Sequence, residues 1–246
     1  MARLFIGTSG FSYSHWEDGV FYPKDLPKKE QLEYFSKRFK TVELNNSFYR
    51  LPKEKTFLNW KERTPQNFIF SVKVSRYITH IKKLKECEAP WEEFLERALN
   101  LGPKLGPFLF QLPPNWKENL DRLESFVKMI EKKGSGKNFA FEFRHQSWFS
   151  PSIYKFFRKH ENLSLCFIDS PRWPITEEIT GKFVYIRMHG GRALYSSNYS
   201  KSELKQLSGR IKNYLNRGLD VYCYFNNDAE GFAVKNAEEL IKLCQT

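Results

Sequence analysis

The sequence predicts an α/β fold, a single (β/α)8 TIM barrel over residues 1–246 with an irregular sixth crossover. Three observations carry the prediction. Eight apolar runs of strand length alternate with segments of helical period, at separations on the order of 20 to 40 residues that suit strand–helix–strand units. Such alternation demands a parallel sheet, and eight units in 246 residues is the arithmetic of a closed barrel. An open doubly wound sheet would carry a Gly-rich nucleotide loop. Gly7-Thr8-Ser9-Gly10 follows the first run but lacks both the Lys of a phosphate loop and the dinucleotide spacing.

Leu4 to Gly7 is the first strand, ending in Thr8, Ser9 and Gly10 before the aromatic loop FSYSHW. Turns around Pro23 and Pro27 lead to an amphipathic helix near Lys28 to Arg38. Thr41 to Asn45 is the second strand, with Val42 and Leu44 opposite Glu43 and Asn45. A helix from Glu54 to Arg63 separates it from the third, Phe68 to Val74. The loop SRYITH follows, then a helix from Trp91 to Leu101 stopped by Gly102 and Pro103. Pro107 to Leu112 is the fourth strand, closed by Pro113 and Pro114, and a helix from Glu118 to Lys132 ends at Gly134.

The fifth strand opens the stretch FAFEFRHQSW. Phe139, Phe141 and Phe143 alternate with Ala140, Glu142 and Arg144, so one face is aromatic and the other carries a carboxylate and a guanidinium. Charges opposite an aromatic layer, at the carboxyl end of a strand, mark a strand buried on both sides whose second side is a polar site. Pro151 to His160 is helical, and Leu163 to Asp169 is the sixth strand. The proline-broken segment PRWPITEEIT makes the next crossover the least regular. Phe183 to His189 is the seventh strand, Ser200 to Arg217 a helix capped by Gly218, Val221 to Asn226 the eighth strand, and Asp228 to Leu243 the closing helix.

The chain is 41% hydrophobic and 17% aromatic, ample for a core, and its 23 Phe predict packing of aromatic against aliphatic side chains. Forty Lys and Arg against 28 Asp and Glu give a net charge of +12. That balance favours an anionic small-molecule or nucleic-acid partner, through steering that salt weakens, unless the lysines only solubilise the surface. Cys87, Cys166, Cys223 and Cys244 are widely spaced with no CxxC pair, which argues against a zinc site and a disulfide framework. No segment approaches the ~18 apolar residues of a membrane span. RLFIG begins structure at once, where a signal peptide would stand. The expectation is a soluble, cytoplasmic protein with no membrane partner.

Barrel active sites lie at the carboxyl ends of the strands. This sequence places Tyr13 and Trp16 after the first strand, Glu43 and Asn45 on the second, Lys73 on the third and Gln111 on the fourth. Glu142, Arg144 and His145 end the fifth, Asp169 the sixth, Arg187, His189 and Gly190 the seventh, and Asn226 and Asn227 the eighth. Among these, Glu43, Glu142 and Asp169 oppose Lys73, Arg144 and Arg187, so the set can pair itself, as buried charges must. Glu142, Asp169 and His189 also mimic the carboxylate–carboxylate–imidazole sets of divalent ions, although two arginines stand close by, and no metal or cofactor is assigned.

The metal-free reading uses Glu43 and Glu142 as an acid/base pair, Asp169 beside them and His189 as a proton shuttle. Arg144, Arg187, Lys73 and the backbone at Gly190 would then cradle a phosphate. Tyr13, Trp16, Trp148 and Trp173, on site-face loops, either stack on a base or sugar ring or close the barrel top.

The motifs GTSGFSYSHW with FYP, TVELNNSFYRLP, FSVKVSRYITH, KLGPFLFQLPP, FEFRHQSW, YIRMHG and YFNNDAEGFAVKNA run in order through the chain. In these the sequence resembles the YecE-like family, the domain of unknown function numbered seventy-two. Phe11 stands where that family usually has Trp, and Leu44-Asn45-Asn46 replaces the commoner Ile-Asn-Ser. The resemblance implies a TIM barrel and a family pocket mapping onto Glu43, Asn45, Gln111, Glu142, Arg144, His145, Asp169, Arg187, His189, Asn226 and Asn227. It implies no demonstrated reaction. The barrel is similar to those of sugar isomerases and a zinc-dependent apurinic endonuclease, a likeness of fold alone. The leading expectation is a metal-independent hydrolase of a phosphorylated or nucleic-acid-derived substrate. A metal-dependent sugar isomerase or epimerase and a non-catalytic binding module are the alternatives.

Overall fold

The computed structural model describes residues 1–245; position 246, the last of the predicted domain, lies outside the described residues. The strands are β1 (Leu4–Thr8), β2 (Thr41–Leu44), β3 (Ile69–Lys73), β4 (Leu105–Gln111), β5 (Phe139–Glu142), β6 (Leu163–Asp169), β7 (Phe183–Met188) and β8 (Asp220–Phe225). All pairings are parallel, in the order β1-β8-β7-β6-β5-β4-β3-β2. The remaining seam, between β1 and β2, is drawn together by a parallel bridge of Ser9 to Glu43 and by the Gly10 amide donating to the Glu43 carbonyl at 2.8 Å. Gly7 makes that approach possible, because a Cβ there would stand 2.2 Å from the Thr41 carbonyl oxygen. The eight strands thus form the nearly closed barrel the sequence predicts.

Around them lie α1 (Gln31–Ser36), α2 (Asn46–Tyr49), α3 (Glu54–Glu62), α4 (Glu88–Leu99), α5 (Leu120–Lys133), α6 (Pro151–Phe157), α7 (Lys201–Asn216) and α8 (Phe232–Gln245). Local chemistry sets several starts. Asn119 accepts from the Arg122 amide at the head of α5, and Ser200 with Glu203 forms a capping box at α7. Between β6 and β7 no helix forms among the described residues, which makes this the irregular crossover the sequence predicts. No helix among the described residues is long and apolar enough to cross a membrane.

Strand alternation divides two apolar layers. The outer one, between strands and helices, holds the Phe side chains of β4 and β5, with Phe110 stacked on Phe141 at 5.0 Å and Trp91 edge-on to Phe108 at 5.1 Å. Trp148 is fully buried here, stacked on Phe143 at 4.5 Å, so it closes the structure and offers no face to a ligand. The inner layer fills the amino-terminal part of the barrel with Phe5, Leu109, Ala140, Cys166, Ile168, Phe183, Tyr185, Tyr222 and Tyr224. Ala140 inside puts Glu142 inside as well. Cys166 and Ile168 inside turn Asp169 outward, so this predicted member of the site is out of phase with the pocket.

Candidate active site

Above the inner apolar layer the barrel becomes polar in steps. Tyr224 hydrogen-bonds Thr41 Oγ1 at 2.7 Å, and Tyr185 meets Ser71 Oγ at 2.7 Å while donating to Glu43 Oε2 at 2.7 Å. Glu43 is fully buried and each of its oxygens has two donors. Oε1 accepts from Ser9 Oγ (2.7 Å) and Arg187 Nη2 (2.8 Å), and Oε2 from Tyr185 and Arg187 Nε (2.9 Å). Arg187 spans the barrel to Glu142, also fully buried, whose Oε2 accepts from its Nη1 at 2.5 Å. Arg144 Nε closes the chain on Glu142 Oε1 at 2.6 Å.

Two carboxylates and two guanidiniums therefore neutralise each other at the cavity floor. Burial pushes both carboxyls up, but Arg187 beside Glu43, and Arg144, Arg187 and His189 beside Glu142, hold them below the ordinary value, Glu142 well below. Both stay ionised near neutrality. His189, fully buried, meets the Asn226 amide at Nδ1 (3.1 Å), and its Nε2 lies 3.4 Å from Arg187 Nη1 and 3.5 Å from Glu142 Oε2. Burial, with Glu142 only partly opposing it, pushes the imidazole down to about 4, so it is neutral at pH 7.

Over this floor opens a cavity of about 730 Å³, within the usual size of small-molecule sites. Of the predicted residues, Tyr13, Asn45, Lys73, Gln111, Arg144, Arg187 and Asn226 line it, whereas Glu43, Glu142 and His189 lie beneath. The others are elsewhere. Trp16 is fully buried and donates from Nε1 to Asp228 Oδ1 at 2.6 Å, so it cannot stack on a ligand. His145 caps the turn Gln146–Trp148 through the Ser147 amide. The Gly190 amide donates to Tyr199 Oη at 2.8 Å and the His189 amide to the Asp169 carbonyl, which uses up the expected backbone cradle. Asn227 bridges the Ser197 carbonyl and Asn236. Asp169 faces Tyr199 and Gly191 on the outer side, which splits the Glu142, Asp169, His189 set; among the described residues no three His, Cys, Asp or Glu side chains gather as metal ligands.

A model of the family described as "Protein of unknown function DUF72" matches residues 5–246. The chain belongs to the DUF72 family. The UPF0759 protein YunF of Bacillus subtilis is 26% identical over 98% of this chain and 94% of its own length. The UPF0759 protein YecE of Escherichia coli strain K12 is 31% identical over 60% of this chain and 50% of its own. The crystal structure of a DUF72 family protein from Thermotoga maritima superposes with a TM-score of 0.86 at 30% identity, over 99% of this chain and all of that one. A DUF72 family protein from Enterococcus faecalis gives 0.82 at 22% identity, over 100% of this chain and 96% of that one, a likeness of fold. Phe11 packs edge-on to Trp60, and Asn46 accepts from the Ser47 amide.

The cavity also gathers DUF72 side chains outside the predicted set. Asp228 is the most consequential. Burial pushes its carboxyl up to about 6, against His15, whose Nε2 stands 2.9 Å from Oδ2, and against the Trp16 hydrogen bond. His15, Arg76 and Asp228 follow the first, third and eighth strands on the site face, where the sequence places polar residues but assigns these three no role. Phe48, Tyr49, His80 and Tyr195 come from loops and a short helix that carry no period to place them. Burial and Lys73 push His80 down to about 4.

Proposed function

We propose that this DUF72 barrel binds an anionic small molecule bearing a phosphate or carboxylate in the mouth cavity and performs acid/base chemistry on it. Arg144 carries the reading. Its Nε is fixed by Glu142 at 2.6 Å and its guanidinium carbon lies 3.6 Å over the Trp173 ring, while its two Nη groups have no partner among the described residues. A guanidinium held on one edge and one face, with the other edge toward a cavity, is a clamp already paid for in entropy. Glu43, Glu142 and His189 act as positioning residues for Arg187 and Arg144. Proton transfer falls to Asp228, a lining carboxyl that titrates near 6 with His15 beside it. In a hydrolytic reaction Asp228 would take the proton of the attacking water.

The net charge of +12 and the rings of Tyr13, Tyr49 and Tyr195 lining the cavity favour a nucleic-acid-derived anion as the second reading. Calorimetric titration with inorganic phosphate, mononucleotides and short single-stranded DNA and RNA tests both. The expected result is binding that weakens at least tenfold in Arg144→Met, a variant whose melting curve controls for folding. A salt slope shared by DNA and RNA would support the second reading. No binding of any of these at low salt would overturn both.

A further inference from the structure

We propose that Lys73 is an imine-forming residue, whose Nζ condenses with the carbonyl group of a small anionic aldehyde or ketone held in the mouth cavity. The inference rests on the anion-pocket reading and adds the reacting group of the substrate.

Lys73 ends β3 on its inward phase, is 9% exposed and lines the cavity. A lysine buried for structural reasons is expected to be paired, and the molecule provides the comparison. Lys104, 6% exposed at the other end of the barrel wall, donates from Nζ to the Thr64 carbonyl at 2.6 Å, to Thr64 Oγ1 at 3.1 Å and to the Lys61 carbonyl at 2.5 Å. Lys73 Nζ has no hydrogen-bond or ion-pair partner among the described residues, only the Phe48 ring with its centroid at 4.1 Å. The floor carboxylates are spent: Glu43 takes Arg187, Tyr185 and Ser9, and Glu142 takes Arg187 and Arg144. Burial first, then Arg187, pushes the ammonium down to about 7. At pH 7 that leaves a free-amine fraction roughly a thousandfold above an ordinary lysine's.

A buried, unpaired amine, about half of it neutral at pH 7, set against the Phe48 ring and beside a guanidinium clamp is the arrangement for amine–carbonyl chemistry. The Nζ lone pair attacks the carbonyl carbon and the C=O electron pair moves onto oxygen. The carbinolamine then loses that oxygen with the two amine hydrogens as water, leaving a C=N bond to Lys73. No oxidant or further reactant is consumed. A proton taken up from solvent makes the imine an iminium, which withdraws electrons from the adjacent carbon, and Arg144 holds the substrate's anionic group through the step.

Pyridoxal 5′-phosphate, an aldehyde bearing a phosphate, is the probe. The protein is treated at a substoichiometric ratio, reduced with borohydride and mapped by peptide mass spectrometry. The expected label is on Lys73, formed at least tenfold faster than on any other lysine, slowed by inorganic phosphate and absent in Lys73→Arg. A wild-type measurement guards against a variant that fails to fold: competitive acetylation across pH should give Lys73 a midpoint near 7. Label spread over surface lysines, with phosphate binding still dependent on Arg144, would overturn the imine and leave the pocket standing. Failure of phosphate and probe alike to bind would overturn both.

Discussion

Replacing Arg187 by Met removes the group that ties the site floor together. Its Nε and Nη2 donate to Glu43 at 2.9 and 2.8 Å and its Nη1 to Glu142 at 2.5 Å, all in a region closed to solvent. Glu142 keeps Arg144 in the variant, whereas Glu43 keeps only neutral donors, Ser9 and Tyr185. Removing one partner of a buried pair costs about 3–5 kcal/mol. At about 2–4 °C per kcal/mol for a chain of this size, the melting temperature should fall by roughly 6–20 °C at pH 7. Protonating the stranded Glu43 relieves the penalty, so the gap to wild type should narrow as pH is lowered from 7 to 5. Adding Glu43→Gln should recover a large part of the loss, since the two changes share one contact. Melts followed by circular dichroism at both pH values measure all three. A drop below about 2 °C at pH 7, or a gap that widens on acidification, would refute the account of the floor as a mutually neutralising network.

Three further outcomes follow from the same geometry. His189 and His80 sit near 4 in the folded state against an ordinary 6.5, so the unfolded chain binds more protons between those values, and melting temperature should decline as pH falls through that window. Glu43 and Glu142, both held below 4.5, should add to the decline at lower pH, and a flat profile from 6.5 to 4 would contradict these assignments. Gly7→Ala sets a Cβ 2.2 Å from the Thr41 carbonyl and should cost about 1–3 kcal/mol or more by prying the β1–β2 seam, read by urea denaturation with an unchanged far-ultraviolet spectrum. Trp16→Phe keeps an aromatic ring but loses the 2.6 Å indole donor to Asp228, so the pH dependence of ligand binding that tracks Asp228 should move upward from about 6 with little change in affinity at low pH.

The alternation of strand residues was legible wherever a charged side chain broke one otherwise apolar face. FAFEFR sets Glu142 and Arg144 opposite an aromatic face, TVEL sets Glu43 opposite the aliphatic Val42 and Leu44, and FVYIRM sets Arg187 in phase with Phe183 and Tyr185 and opposite Val184, Ile186 and Met188. LSLCFID has apolar side chains on both faces, as strands of a buried parallel sheet do, so its phase is silent and Asp169 was assigned to the wrong side. Loops have no period at all. The meeting of His15 with Asp228, 213 residues apart in sequence, and of His80 with Gln111 depends on how the mouth loops fold over the strands.

The sequence by itself determined the strand count, the helical crossovers other than the one between β6 and β7, the end of the barrel where the cavity opens and the charged residues at its floor. Those follow from local periods and from the geometry a parallel sheet imposes. Tertiary structure alone decided which charges satisfy one another. Arg187 reaches both carboxylates at once, and this single bridge pairs Glu43 and Glu142 and leaves Lys73 without a counter-ion. Pairing of that kind is a matter of distances of a few ångströms across the barrel, and strand order in the sequence carries no such distances.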